Sequence, residues 1–156
     1  MDGLIELIFD RVPGGNVDKL VNDFLQGGDI LGISHSELGS LDPKTVNRYL
    51  MPILRQETDF SSVFIRTANA MIGNVSIRSP LVRILRFEGG IEVAIVFDSA
   101  DIEATDRQGV VTKLAVGAAA LASSAGVPEY YCGFEPANDE KTRLFTRGKI
   151  GPLVTV

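Results

Sequence analysis

The order of apolar patterns along this chain predicts an α+β fold: a mainly antiparallel sheet with helices packed on one face, in a single compact domain spanning residues 1–156. Three observations carry that expectation. A short apolar strand is followed by two helix-period segments, four strand-like runs then succeed one another between residues 63 and 97, and a long alanine-rich stretch precedes one more strand. Length agrees, because 156 residues make one domain at ~100–200 residues each, and no repeat, linker or low-complexity tract divides them.

The first strand is Leu4-Ile5-Glu6-Leu7-Ile8-Phe9, closed by the turn cluster Pro13-Gly14-Gly15-Asn16. Val17, Leu20, Val21, Phe24 and Leu25 recur at helical spacing, with Asn16 placed to cap the helix and Gly27-Gly28 to stop it. Ile30 to Ile33 reads as a short strand, with His35 in the polar loop beyond. Asp42-Pro43 is a helix start that leads through Val46, Tyr49 and Leu50 to a kink at Pro52 and on to Leu54. The strand runs are Val63 to Thr67, Val75 to Arg78 after a Gly73-Asn74 turn, Val82 to Phe87, and Ile91 to Phe97. Ile91 to Phe97 is apolar at nearly every position, which predicts a central strand covered on both faces. A three-residue loop Glu88-Gly89-Gly90 between the last two would set Phe87 opposite Ile91, Leu85 opposite Val93 and Arg86 opposite Glu92. That register puts Arg83 opposite Ile95, on an apolar face, where its guanidinium must either escape or meet a buried carboxylate. A helix from about Gly109 to Ala125 follows, small on every side, then a strand from Glu129 to Phe134 and a turn-rich C-terminal segment.

Composition excludes several function classes. Apolar residues at 45%, charged residues at 22% and a mean hydropathy of +0.17 describe a folding chain, not a disordered one. Twenty acids against fifteen bases leave a net charge of −5, which disfavours nucleic acid, since phosphate neutralisation would work against the field of the whole molecule. One cysteine, Cys132, and one histidine, His35, supply no disulfide and no zinc set, so no metal and no cofactor are expected. The first residues carry acids at Asp2, Glu6 and Asp10 in place of a secretory signal. The longest uncharged run, residues 114–128, falls short of the ~18–20 residues that span a bilayer. The expectation is a cytoplasmic protein with no membrane partner.

Charge is segregated along the middle of the chain. Phe60 to Phe87 holds Arg66, Arg78, Arg83 and Arg86 and no acid, whereas Glu88 to Asp106 holds Glu88, Glu92, Asp98, Asp101, Glu103 and Asp106 and no base. Cross-strand pairing and helix-dipole preference account for this blandly. The functional reading is an acidic edge of Asp98, Asp101, Glu103 and Asp106 that captures a basic partner; Asp98 to Glu103 lacks the glycine turn of a Ca²⁺ loop. In the C-terminal segment, Tyr130 and Tyr131 must point to opposite faces, and Asp139 and Arg143 would pair if Ala137 to Leu144 coils. Either this segment simply closes the sheet edge, or Tyr130, Tyr131, Arg143, Phe145 and Arg147 act as aromatic and arginine anchors of an interface. A Cys132–His35 nucleophile pair could form only through the fold. No glycine-rich stretch has the spacing of a phosphate cradle.

The stretch Gly133-Phe-Glu-Pro-Ala-Asn-Asp-Glu-Lys-Thr-Arg-Leu-Phe-Thr-Arg147, followed by Gly151-Pro152-Leu153, resembles a C-terminal signature of small acidic bacterial proteins, and the chain is similar in kind to polymorphic-toxin immunity proteins. The resemblance implies a non-catalytic module that binds a cognate, basic toxin domain and occludes its active site. The competing expectations are a small enzyme or ligand-binding domain with its site at the acidic end of strand 91–97, and a homo-oligomer associating through the alanine-rich helix.

Overall fold

The computed structural model describes residues 3–26, 28–36, 39–41, 61–104 and 107–156. The expected helix over 42–54 and the candidate Asp106 lie outside the described residues. Among these residues, nine strands form one antiparallel sheet in the order β12-β11-β10-β1-β8-β7-β4-β2-β3. They are β1 (Leu4–Asp10), β2 (Ile30–His35), β3 (Gly39–Leu41), β4 (Ser61–Thr67), β7 (Leu81–Phe87), β8 (Gly90–Asp98), β10 (Glu129–Phe134), β11 (Arg143–Thr146) and β12 (Lys149–Ile150). A second sheet joins β5 (Asn69–Ile72), β6 (Val75–Arg78) and β9 (Ile102–Glu103). The helices α1 (Val17–Leu25) and α2 (Val110–Ala125) pack on each other and share one apolar core with a single face of the large sheet. The architecture is the α+β arrangement that the sequence predicts.

Strand alternation selects that core face. Ile5, Leu7 and Phe9 on β1, Val93, Ile95 and Phe97 on β8, and Val82 and Ile84 on β7 all point toward the helices and are buried. The helices answer with Leu20, Val21 and Phe24 from α1 and Val110, Leu114 and Leu121 from α2.

Several local expectations are corrected. The β7–β8 hairpin turns on two residues, Glu88-Gly89, so that Phe87 pairs with Gly90, Arg86 with Ile91, Leu85 with Glu92 and Arg83 with Ala94. The three-residue register would have pushed Arg83 among Val93, Ile95 and Phe97. The observed one buries Val82 and Ile84 there and turns Arg83 to the other face, which avoids desolvating a guanidinium in the apolar core. Asn16 makes no cap at α1; its Nδ2 donates to the Ala125 carbonyl at 2.9 Å, at the far end of α2. Gln26, in the left-handed region at φ 47°, ends α1 in place of a glycine. His35 belongs to β2 and is buried, where a polar loop was expected. The Gly73-Asn74 turn joins β5 to β6, and β5 itself has no clear apolar signature in sequence.

Candidate functional site

Residues directly opposite in an antiparallel ladder point the same way, so the registers define the face that the helices leave open. It carries Glu6, Ile8 and Asp10 from β1, Glu92, Ala94, Val96 and Asp98 from β8, Leu81, Arg83 and Leu85 from β7, Phe64 and Arg66 from β4, and Tyr131 from β10. No helix among the described residues covers it.

Part of this face is covered by the loop after β10. Ala137 is fully buried there against Ile8 and Ala94, with Val96 and Tyr131 packed alongside. The loop is gripped from both sides. The Ala137 N–H donates to Glu6 Oε2 at 3.1 Å, while the Ala137 carbonyl accepts from Arg143 Nε at 3.0 Å. Arg143 also donates to Thr146 Oγ1 at 3.2 Å and lies 4.2 Å from the centre of the Tyr131 ring. β8 is therefore central between β1 and β7, but its second face is covered only around Ala94; Glu92 and Val96 remain half-buried.

Beside the loop lies a charged cluster. Arg83 Nη2 stands 3.4 Å from Glu6 Oε1 and 3.7 Å from Glu92 Oε1, so one guanidinium serves two carboxylates. Arg83 Nε is buried with no hydrogen-bond partner among the described residues. Burial pushes the Glu92 carboxyl above its ordinary range; Arg83 opposes that shift, and Asp10 and Glu6 add to it. Burial, and then the nearby Glu92, likewise push the Tyr131 phenol up.

The candidates named from sequence separate by strand parity. Tyr131, Arg143 and Asp98 belong to the open face. Tyr130 points into the core and stacks on Phe9 at 6.2 Å between ring centres, and Phe145 is 0% exposed, so neither is an accessible anchor. Asp98 accepts the Ala100 N–H at 2.9 Å. Asp101 and Glu103 flank Arg78 at 3.8 and 3.6 Å, so β6 supplies a base that the sequence segment itself lacks. Arg147 pairs with Glu129 through two contacts. The expected Asp139–Arg143 helical pair is absent: Asp139 accepts the Lys141 N–H at 3.0 Å, opening a short 3₁₀ turn. Glu6, Glu92 and Phe64 are not among the site residues to which the sequence points. Glu6 carried a signal, since it is the one charge inside the apolar run of β1.

Cys132 and His35 lie on β10 and β2, five strand steps apart in the sheet, roughly 24 Å at ~4.8 Å per step, so they form no dyad. Burial raises the Cys132 thiol far above its ordinary range, which disfavours the thiolate that a nucleophile needs. No three His, Cys, Asp or Glu side chains among the described residues converge to hold a metal. No helix among them is long and apolar enough to cross a membrane.

No curated protein matches the chain in sequence. In structure it is similar to a chain of the 1.75 Å crystal structure of the toxic C-terminal tip of CdiA from Pseudomonas aeruginosa in complex with immune protein, with a TM-score of 0.78 and 21% identity. The match covers 98% of this chain and 99% of that one, and at this identity it is a likeness of fold. The family model described as PABL017 Cdi1I immunity protein matches residues 3–150. That span takes in every strand of both sheets, and the chain belongs to the PABL017 Cdi1I immunity protein family, in keeping with the resemblance carried by residues 133–153.

Proposed function

We propose that this immunity protein acts in the cytoplasm, where it binds a toxin domain of the CdiA-tip kind and blocks it by direct contact, without chemistry of its own. The observation that carries the reading is the family match over residues 3–150. The separation of Cys132 from His35 and the burial of the thiol support a binding role over a catalytic one. Of the sequence candidates, Asp98, Tyr131 and Arg143 stand on the open sheet face, and Asp101, Glu103 and Arg147 are at least partly exposed elsewhere on the surface. All six are proposed as partner-facing, whether by contact or by charge.

The test is co-purification of the tagged chain from its source cells, followed by production of any stoichiometric partner as a recombinant domain. The expected partner is a toxin domain whose activity falls to background at one equivalent of the chain and whose growth inhibition the chain relieves. Capture of no toxin domain, or capture of one that stays active when saturated, would overturn the reading.

A further inference from the structure

The open face of the sheet combines features that a surface evolved only for water does not need. Phe64, Leu81, Leu85 and Val96 present half-buried apolar area with no helix among the described residues to cover it. A cavity of about 540 Å³ runs alongside, lined by Phe64, Leu81, Leu31, Ser34 and Arg66, wide enough to seat an apolar side chain. Between this concavity and the Ala137 loop stands the Glu6–Arg83–Glu92 cluster, with Asp10 acting on it from the end of β1.

Charge at that cluster does not balance. Among the described residues, Glu6 is tied down twice, by Arg83 and by the Ala137 N–H, whereas Glu92 has only the longer of the two contacts to a guanidinium that it shares. Half-buried anions held so loosely are unfavourable in the free protein and become favourable once a cation is brought against them in a water-excluded contact. The rest of the surface is a weaker candidate. The outer edge of β11 is closed by β12 and by the Leu153 N–H donating to the Arg143 carbonyl, and the other sheet face is filled by α1 and α2.

We infer that the open sheet face is the toxin-docking surface, and that the partner sets a lysine or arginine side chain against Glu92 and an apolar side chain against Phe64 and Leu81. The inference rests on the function proposed above and names its surface and the chemistry of the partner. Complementarity with a protein of net charge −5 calls for a basic toxin patch around that apolar anchor.

The experiment uses the recombinant toxin domain and four forms of the full chain: wild type, Glu92→Gln, Leu85→Lys and Val116→Lys. Glu92→Gln removes the loose anion with little change of shape. Leu85→Lys places a competing cation directly opposite Glu92 on an already half-exposed position. Val116, 67% exposed on the outer side of α2, is the control. The expected result is affinity lowered about tenfold by Glu92→Gln and about a hundredfold or more by Leu85→Lys, with Val116→Lys unchanged. Melting temperatures should stay at or above that of wild type for Glu92→Gln, and the affinity of wild type should fall more steeply with salt. Toxin binding by wild type with both open-face variants within about twofold of it would overturn the inference and leave the proposed function standing. A wild-type chain that binds no toxin domain overturns both.

Discussion

The backbone N–H of Ala137 and the carboxylate of Glu6 meet at 3.1 Å across 131 residues of chain, and through this contact the C-terminal segment is fixed to the first strand. Glu6 is buried, and its other oxygen faces Arg83. Glu6→Ala therefore strands a buried N–H and half of an ion-pair cluster at once. The expected cost is about 3 kcal/mol, the low end of the range for breaking a buried pair, because Arg83 keeps Glu92. Urea denaturation measures it; a loss below about 1 kcal/mol would show that the loop does not depend on Glu6.

Cys132 offers a check on the burial of β10. Its thiol is enclosed on the core face, paired in register with Leu7 and Phe145, and the thiolate that reagents require is strongly disfavoured there. Native protein should leave a thiol reagent unreacted over hours, while protein in denaturant should release one equivalent at once. Rapid labelling of the native chain would contradict the position of β10 inside the sheet.

Much of the fold was legible in sequence because it depends on periodicity. Leu4 to Phe9, the α1 stripe of Val17, Leu20, Val21 and Phe24, and the alanine-rich α2 follow directly from apolar spacing. The β7–β8 register was not legible, since both registers pair apolar residues and only the third dimension, with α1 and α2 beneath Val82 and Ile84, decides between them. The same limit governed the site. Tyr130 and Tyr131 were expected on opposite faces, but which one meets the core follows from β10 pairing with β1, a contact far apart in sequence. Arg83 was recognisable as a residue out of place, whereas its partner Glu6 lies 77 positions away.

Gly117 on α2 lies against the β5–β6 turn so closely that a Cβ there would stand 2.6 Å from the Gly73 nitrogen and 2.6 Å from the Ile72 carbonyl carbon. Both are backbone atoms, and Gly73 holds φ +60°, so neither side can yield cheaply. Gly117→Ala, although favoured by helix propensity by about 1 kcal/mol, is expected to destabilise the fold by a net ~1–3 kcal/mol through forced separation of helix and turn. Thermal denaturation decides the sign, and a raised melting temperature would mean that α2 and the turn are not in contact.

Glu92 gives the fold a pH signature that its glutamine variant should lack. Burial, with Asp10 and Glu6 adding to it and Arg83 opposing, raises its carboxyl above the ordinary value of 4.5, so the folded chain holds that proton more tightly than the unfolded chain does. A group raised in this way contributes stability that is fully present below the unfolded value and is lost as pH rises through the folded value. Wild type should therefore lose stability relative to Glu92→Gln across the window that opens at 4.5 and ends above the raised folded value, with the difference constant outside it. Urea midpoints of both proteins, taken in steps from about pH 4 to pH 8, test the sign directly. A wild type that gains on the variant with rising pH would show that Arg83 outweighs burial, and would place the Glu92 carboxylate in a compensated pair instead of a strained one.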